Sequence, residues 1–175
     1  MNLFLIGYRC TGKSTIGKSV AAALGWSFVD SDIQVIKQSG MSINDIVATE
    51  GWQAFRRMER SIIKQICTDD RRVVATGGGV VLDPDNIKVM ATSGIIVWLC
   101  ATAKTIHRRM FQDKNSPTLR PALTGKGQTE EIQDMLLQRN PYYESASDFC
   151  IHTDELPVNE ISKRIIEKIK DRIGE

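Results

Sequence analysis

Only two histidines, His107 and His152, stand among 175 residues, and the four cysteines, Cys10, Cys67, Cys100 and Cys150, lie far apart with no C-x-x-C pair. That scarcity provides no zinc-finger or zinc-ribbon spacing. Reduced thiols are expected, with Cys100 and Cys150 acting as small hydrophobes in strand-like runs and both histidines structural. No apolar run approaches the roughly 20 residues that a membrane-spanning helix needs. Residues 1–7 have neither a basic leader nor a small-residue cleavage site, and read as a strand. The net charge of +2 makes no broad basic field of the kind that holds DNA or RNA. Internal repeats and low-complexity tracts are also lacking. The expectation is therefore a cytoplasmic protein with no nucleic-acid or membrane partner, and a monomer.

What is there suits one ordinary globular domain over residues 1–175, with 42% hydrophobic and 25% charged residues. Short β-branched runs at 3–6, 27–29, 73–76, 95–99 and 149–152 alternate with segments of helical period at 13–24, 32–39, 43–67, 84–92, 103–111 and 130–143. The second long helical segment is expected to break near Gly51. Such alternation signals βαβ units around a parallel sheet, an α/β fold in three layers. A last helix carries Val158, Ile161, Ile165, Ile169 and Ile173 on one face, which should dock on the sheet. Between residues 112 and 129 the period fails, and Asn115, Pro117, Pro121, Gly125 and Gly127 supply breakers. A connection of that length reads as a functional lid.

Gly7-Tyr8-Arg9-Cys10-Thr11-Gly12-Lys13-Ser14 matches G-x-x-x-x-G-K-[ST] and lies between an apolar strand and an amphipathic helix, the context that this phosphate-binding motif requires. A triphosphate is met by converging backbone N–H groups, which the backbone freedom of Gly7 and Gly12 permits, and by the positive end of the following helix. Lys13 can reach the β and γ oxygens, and the Ser14 hydroxyl can ligate a bridging Mg²⁺. ATP with Mg²⁺ is the expected cofactor. No Asn-Lys-x-Asp guanine signature occurs, which disfavours a GTPase.

Candidate acceptor residues come next along the chain. Asp30 and Asp32 close an apolar strand, where open α/β sheets place ligands. Asp30 suits a magnesium outer shell. Asp32 either takes a hydrogen bond or proton from an attacking hydroxyl or merely caps the next helix. Arg56 and Glu59 are three apart on a helix: either Glu59 steadies Arg56 for a bidentate grip on a carboxylate, or the two form a solvated ion pair. Gly77-Gly78-Gly79 either leaves room for a ligand against bare backbone or is a flexible turn. Arg120 and Arg139 are further cations, each a surface charge if taken alone.

In this order, the phosphate loop, Asp30-Ser31-Asp32, Phe55-Arg56-x-x-Glu59, Gly77-Gly78-Gly79, Leu119-Arg120-Pro121 and Arg139-x-Pro141-x-Tyr143 resemble the shikimate kinase family. The resemblance covers nearly the whole chain. It implies a five-stranded parallel sheet of order 2-3-1-4-5 and phosphorylation of the 3-hydroxyl of shikimate by ATP, a step of chorismate and aromatic amino acid biosynthesis. It implies an acceptor region at about 32–62, with Asp32 orienting or deprotonating the hydroxyl and Arg56 and Arg139 clamping the carboxylate. The backbone of Gly77, Gly78 and Gly79 would meet the ring. Lys13, Asp32 and Arg120 would be the catalytic residues, with Arg120 on a lid at about 112–129. Nucleotide contacts would come from Gly7, Cys10, Thr11, Gly12, Lys13, Ser14, Thr15 and Arg120. Arg109, or its neighbour Arg108, would lie against adenine opposite Pro157, and Ser14 and Asp30 would serve the metal. One departure is Cys10, at a loop position where many members have glycine, so its backbone angles must be ones that a side chain accepts. The rival readings are a related kinase acting on another polyol acid such as gluconate, and an ATP-binding module without turnover.

Overall fold

A computed structural model describes residues 1–112 and 128–173. Five strands, β1 (Asn2–Ile6), β2 (Ser27–Asp30), β3 (Arg72–Ala75), β4 (Gly94–Cys100) and β5 (Phe149–His152), form one sheet of order β2-β3-β1-β4-β5. Every neighbouring pair is parallel, with Leu5 opposite Ala75 and Val97, and Asp30 opposite Ala75. Seven helices are described: α1 (Lys13–Leu24), α2 (Ser31–Ser39), α3 (Ile43–Ile66), α4 (Pro84–Ser93), α5 (Ala103–Gln112), α6 (Gln128–Ala146) and α7 (Val158–Ile173). The strand order and the elements agree with the sequence expectation to within a few residues at each end. A short 3₁₀ turn, Val80–Leu82, follows the glycine triplet and was not foreseen.

A parallel sheet is covered on both faces, so its strands read as unbroken apolar runs. β1 shows how the side chains divide. Phe4 and Ile6 pack with Val74, Ile96 and the α3 residues Ile62, Ile63 and Ile66 on one face. Leu3 and Leu5 pack with Val73, Val97, Ile16 and Val20 of α1, and Ile161, Ile165 and Ile169 of α7 on the other. The apolar stripe of α7 therefore docks on the sheet, as its period predicts. At Gly17 of α1 an added Cβ would lie 2.7 Å from the Phe28 ring, so the absence of a side chain sets how closely α1 approaches β2.

The break expected in α3 is present: Gly51 has φ 82° and ψ 168°, outside the helical region, and kinks the segment. The kink lies one residue before Trp52 and five before Arg56, both of which face the site described below. Arg120 and most of the expected lid, residues 113–127, lie outside the described residues.

Candidate active site

β1 delivers the chain to Gly7, whose φ is +135° and where a Cβ would fall 2.3 Å from the Leu99 carbonyl oxygen. Only glycine fits there. Gly12, at φ +97°, caps α1, and its carbonyl accepts from Ile16 N at 2.8 Å. Lys13 is buried, and its Nζ donates to the carbonyls of Gly7 at 2.8 Å and Tyr8 at 2.7 Å, which holds a positive charge across the loop. The Thr11 hydroxyl ties the loop to the Tyr8 carbonyl at 2.9 Å. Cys10 has φ +61°, in the small left-handed region that side chains enter at a cost of about 1–2 kcal/mol.

Beside the loop, Ser14 Oγ donates to Asp30 Oδ2 at 2.7 Å. The other oxygen of Asp30 accepts from the backbone N–H groups of Asp32 and Ile33 at 3.1 and 3.4 Å, so Asp30 is the N-cap of α2. Of the two readings of Asp32, capping is thus ruled out, because Asp30 fills that role and Asp32 sits buried inside the first turn. One hydroxyl and one carboxylate, with Thr15 exposed next to them, form a hard-oxygen pair of the type that suits Mg²⁺.

Arg109 closes the other end of the loop. Its guanidinium donates to the Cys10 carbonyl at 3.3 Å, to Thr153 Oγ1 at 3.0 Å and to the Thr153 carbonyl. Burial pulls its pKa down, against the pull of Asp154 in the opposite direction. Arg108 is exposed, so of the two arginines it is Arg109 that faces the loop. Thr153 Oγ1 in turn donates to the Thr11 carbonyl at 3.2 Å. Asp154 accepts from Thr102 N and Oγ1 at 2.9 and 2.7 Å. Burial works to raise the Asp154 carboxyl, but these hydrogen bonds outweigh it and hold the group below the usual carboxylate range. Pro157 is exposed at the start of α7, its carbonyl accepting from Ile161 N at 3.1 Å.

Across the loop from this nucleotide side opens a cleft of about 470 Å³, part of it open to solvent. It is lined by Asp32, Arg56, Gly77, Gly78, Gly79 and Arg139, which come from four separate segments of the chain. Glu59 is fully buried and accepts from Arg56 Nη1 at 2.6 Å. The solvated-pair reading of Arg56 and Glu59 is therefore excluded, since a buried carboxylate fixes the guanidinium. Arg56 also lies over the rings of Trp52 and Phe55, 5.6 and 5.2 Å from their centroids.

The glycine triplet has a different use at each position. A Cβ at Gly79 would lie 2.1 Å from Arg56 Nη2, and one at Gly77 would lie 2.6 Å from Glu59 Oε1 and 2.8 Å from Asp32 Oδ1. The space at these two positions is taken by the protein's own charged side chains, where the sequence suggested room for a ligand. An added Cβ at Gly78 would meet nothing closer than 3.5 Å, and the Gly78 carbonyl accepts from Tyr143 Oη and from Arg139 Nη1, the latter at 3.3 Å. Arg139 is buried, and its Nε has no hydrogen-bond partner among the described residues.

Sequence reasoning missed Arg9 and Tyr8, which also line the cleft. Arg9 Nη2 donates to Glu131 Oε1 of α6 at 2.9 Å, a nearly buried pair that joins the phosphate loop to the helix carrying Arg139. Burial pushes the Tyr8 hydroxyl up, with the Arg9 guanidinium pulling it down. Arg9 occupies a position that the motif leaves free, so its type carried no signal. Its partner is 122 residues away in sequence.

A family model described as shikimate kinase matches residues 9–170. A shikimate kinase of Syntrophus aciditrophicus is 39% identical over 98% of this chain and 92% of its own length. One from Thermodesulfovibrio yellowstonii is 41% identical over 95% of this chain and 94% of its own. In backbone, the shikimate kinase from Acinetobacter baumannii, solved in complex with shikimate, superposes with a TM-score of 0.90 at 29% identity, covering 98% of this chain and 93% of that one. Agreement over nearly the full length, in sequence and in backbone alike, makes the chain a member of the shikimate kinase family.

Proposed function

We propose that this chain is a single kinase domain that transfers the γ-phosphoryl group of ATP to the 3-hydroxyl of shikimate, giving shikimate 3-phosphate and ADP on the way to chorismate and the aromatic amino acids. The observation that carries the reading is the convergence of Asp32, Arg56 and Arg139 in one cleft beside the phosphate loop. A carboxylated polyol needs guanidinium donors at its anionic end and a carboxylate at its reacting hydroxyl. The cleft offers both. The Acinetobacter baumannii enzyme, which shares the fold over nearly its whole length, holds shikimate.

In this reading Arg56, fixed by Glu59 and by its aromatic neighbours, and Arg139, whose Nε has no partner among the described residues, clamp the acceptor carboxylate, while the Gly78 region bounds the ring. Asp32 accepts the hydrogen bond of the 3-hydroxyl and takes its proton as the oxygen attacks the γ-phosphorus and the bond to the bridging β,γ-oxygen breaks. Gly7, Cys10, Thr11, Gly12 and Thr15 bind the nucleotide phosphates around Lys13, whose ammonium already sits at the loop. Ser14 and Asp30 would hold Mg²⁺, which when bound would neutralise charge on the phosphate oxygens. Arg109 and Pro157 flank the adenine. Arg120, which rests on the resemblance of Leu119-Arg120-Pro121 alone, meets the transferring phosphoryl group. Little covalent work is left to the protein; positioning and positive charge carry most of the acceleration. The expected setting is a cytoplasmic monomer that binds neither nucleic acid nor membrane.

A coupled assay of ADP release with Mg²⁺ and ATP, run with shikimate, gluconate and quinate in turn, tests the assignment. Turnover within the roughly 1–100 s⁻¹ typical of kinases is expected with shikimate only. ATP consumption that ignores shikimate would overturn it.

A further inference from the structure

The far edge of the sheet carries a group of ligands that the kinase site does not use. Cys100 ends β4 and His152 ends β5, in a register that sets Cys100 opposite His152 and Trp98 opposite Cys150. Residues opposed across a pair share a face, and so do residues two apart on a strand. Cys100, Cys150 and His152 therefore emerge together on one face. Cys100 Sγ lies 2.7 Å from Cys150 Sγ, and the two sulfurs and a ring nitrogen of His152 all lie within 4.8 Å of one another. The three line a second cavity of about 520 Å³, part of it open to solvent, with Trp98, Thr11 and Asn140 also in its wall. None of them lines the cleft of Asp32 and Arg56.

We propose that Cys100, Cys150 and His152 form a binding site for a soft divalent cation, Zn²⁺, with a fourth position open to this cavity. Thiolate and imidazole donors select zinc and exclude Mg²⁺, which prefers oxygen ligands. The ligand chemistry thus separates this site from the Ser14 and Asp30 pair. With Zn–S near 2.3 Å and Zn–N near 2.0–2.1 Å, tetrahedral ligands stand about 3.5–3.8 Å apart. The observed spread accommodates that once the two sulfurs open by about 1 Å. Entry is simple, since His152 is exposed and Cys150 only half-buried.

The cation would take the place of the direct Cys100–Cys150 sulfur contact. Binding releases up to two thiol protons to solvent and leaves two thiolates and a neutral imidazole on the ion. No local pattern signals this arrangement, because 50 residues separate Cys100 from Cys150 and only the β4–β5 register joins them.

The test uses the full chain, reduced with a phosphine and stripped by chelator, then titrated with Co²⁺ and back-titrated with Zn²⁺. One equivalent of Co²⁺ is expected to give a thiolate-to-metal charge-transfer band and intense visible bands of tetrahedral type, bleached by Zn²⁺ and untouched by excess Mg²⁺. Cys150→Ala and His152→Ala should each weaken Co²⁺ binding by at least about tenfold, the scale at which even outer-shell partners act. Cys67→Ala should leave it unchanged. Because His152 is exposed, its variant retains the fold, which thermal unfolding of the metal-free protein checks. Absence of the charge-transfer band in reduced protein, or a band that survives both Cys150→Ala and His152→Ala, would overturn the proposal. So would a pair that merely oxidises to a disulfide in air and shows no metal affinity after reduction.

Discussion

The two halves of the site are built by different means. The nucleotide side is a stretch of adjacent residues, Gly7 to Ser14, shaped from within by Lys13 on the Gly7 and Tyr8 carbonyls and Thr11 on Tyr8, and tied to the fold by Glu131, Asp30, Arg109 and Thr153. The acceptor side is assembled from α2, α3, the turn after β3 and α6, and its arginines Arg56 and Arg139 are each held by a residue from another turn or another segment. The first depends on backbone angles and the second on side-chain pairing. Substitutions should therefore separate cleanly, with acceptor-side changes felt by shikimate and loop changes felt by ATP or by stability.

The sharpest separation is expected at Asp32. Asp32→Asn keeps the shape but removes the proton acceptor, and kcat should fall about 10²- to 10⁴-fold, with ATP binding unchanged by calorimetry. A kcat near wild type would move the acceptor role elsewhere. Next come Arg56→Ala and Arg139→Ala, each expected to weaken shikimate binding by about 1.5–3 kcal/mol, roughly 10- to 150-fold. ATP affinity should hardly move.

Gly79→Ala is a subtler break in the same place. Its methyl would occupy the position of the Arg56 guanidinium, so KM for shikimate should rise about tenfold while KM for ATP stays within about twofold. A shikimate KM within about twofold of wild type for Gly79→Ala would show that this glycine does not seat the clamp.

On the nucleotide side, Cys10→Gly relieves the left-handed strain at φ +61° and should stabilise the protein by up to about 1 kcal/mol, or about 2–4 °C in Tm. Part of that gain is offset by the greater freedom of glycine in the unfolded chain. The smallest effect concerns Asp154. Its folded pKa is depressed, so the stability it contributes is fully present above its ordinary value of 3.8 and is lost as pH falls through the folded value. Urea unfolding of wild type and Asp154→Asn should differ at pH 7 and converge as pH drops below 4. A gap that widens in acid would reverse the sign.

The same contrast explains what could be read from the sequence. The order of the strands followed only from the family resemblance, while the strands and every long helix were legible, because apolar period and β-branched runs are local signals. So was the phosphate loop. The acceptor residues were legible as candidates but not as a mechanism. Spacing could not tell whether Asp30 or Asp32 caps α2, since either can reach the first free N–H groups. Nor could it show that Gly77 and Gly79 make way for Glu59, Asp32 and Arg56, because the glycines lie 18 or more residues from those side chains. Arg9 and the Cys100, Cys150 and His152 group were hidden for the same reason. Their partners are fixed only by tertiary register.

The clamp on the acceptor carboxylate carries most of the assignment, and comparing shikimate with its neutral carboxamide probes it directly. Steady-state kcat/KM for the two substrates should differ about 10- to 150-fold in the wild-type enzyme, the worth of charged hydrogen bonds to the carboxylate. In Arg56→Ala and Arg139→Ala the difference should shrink towards unity. Wild-type enzyme that treats acid and amide alike, or variants that keep the full discrimination, would contradict the account.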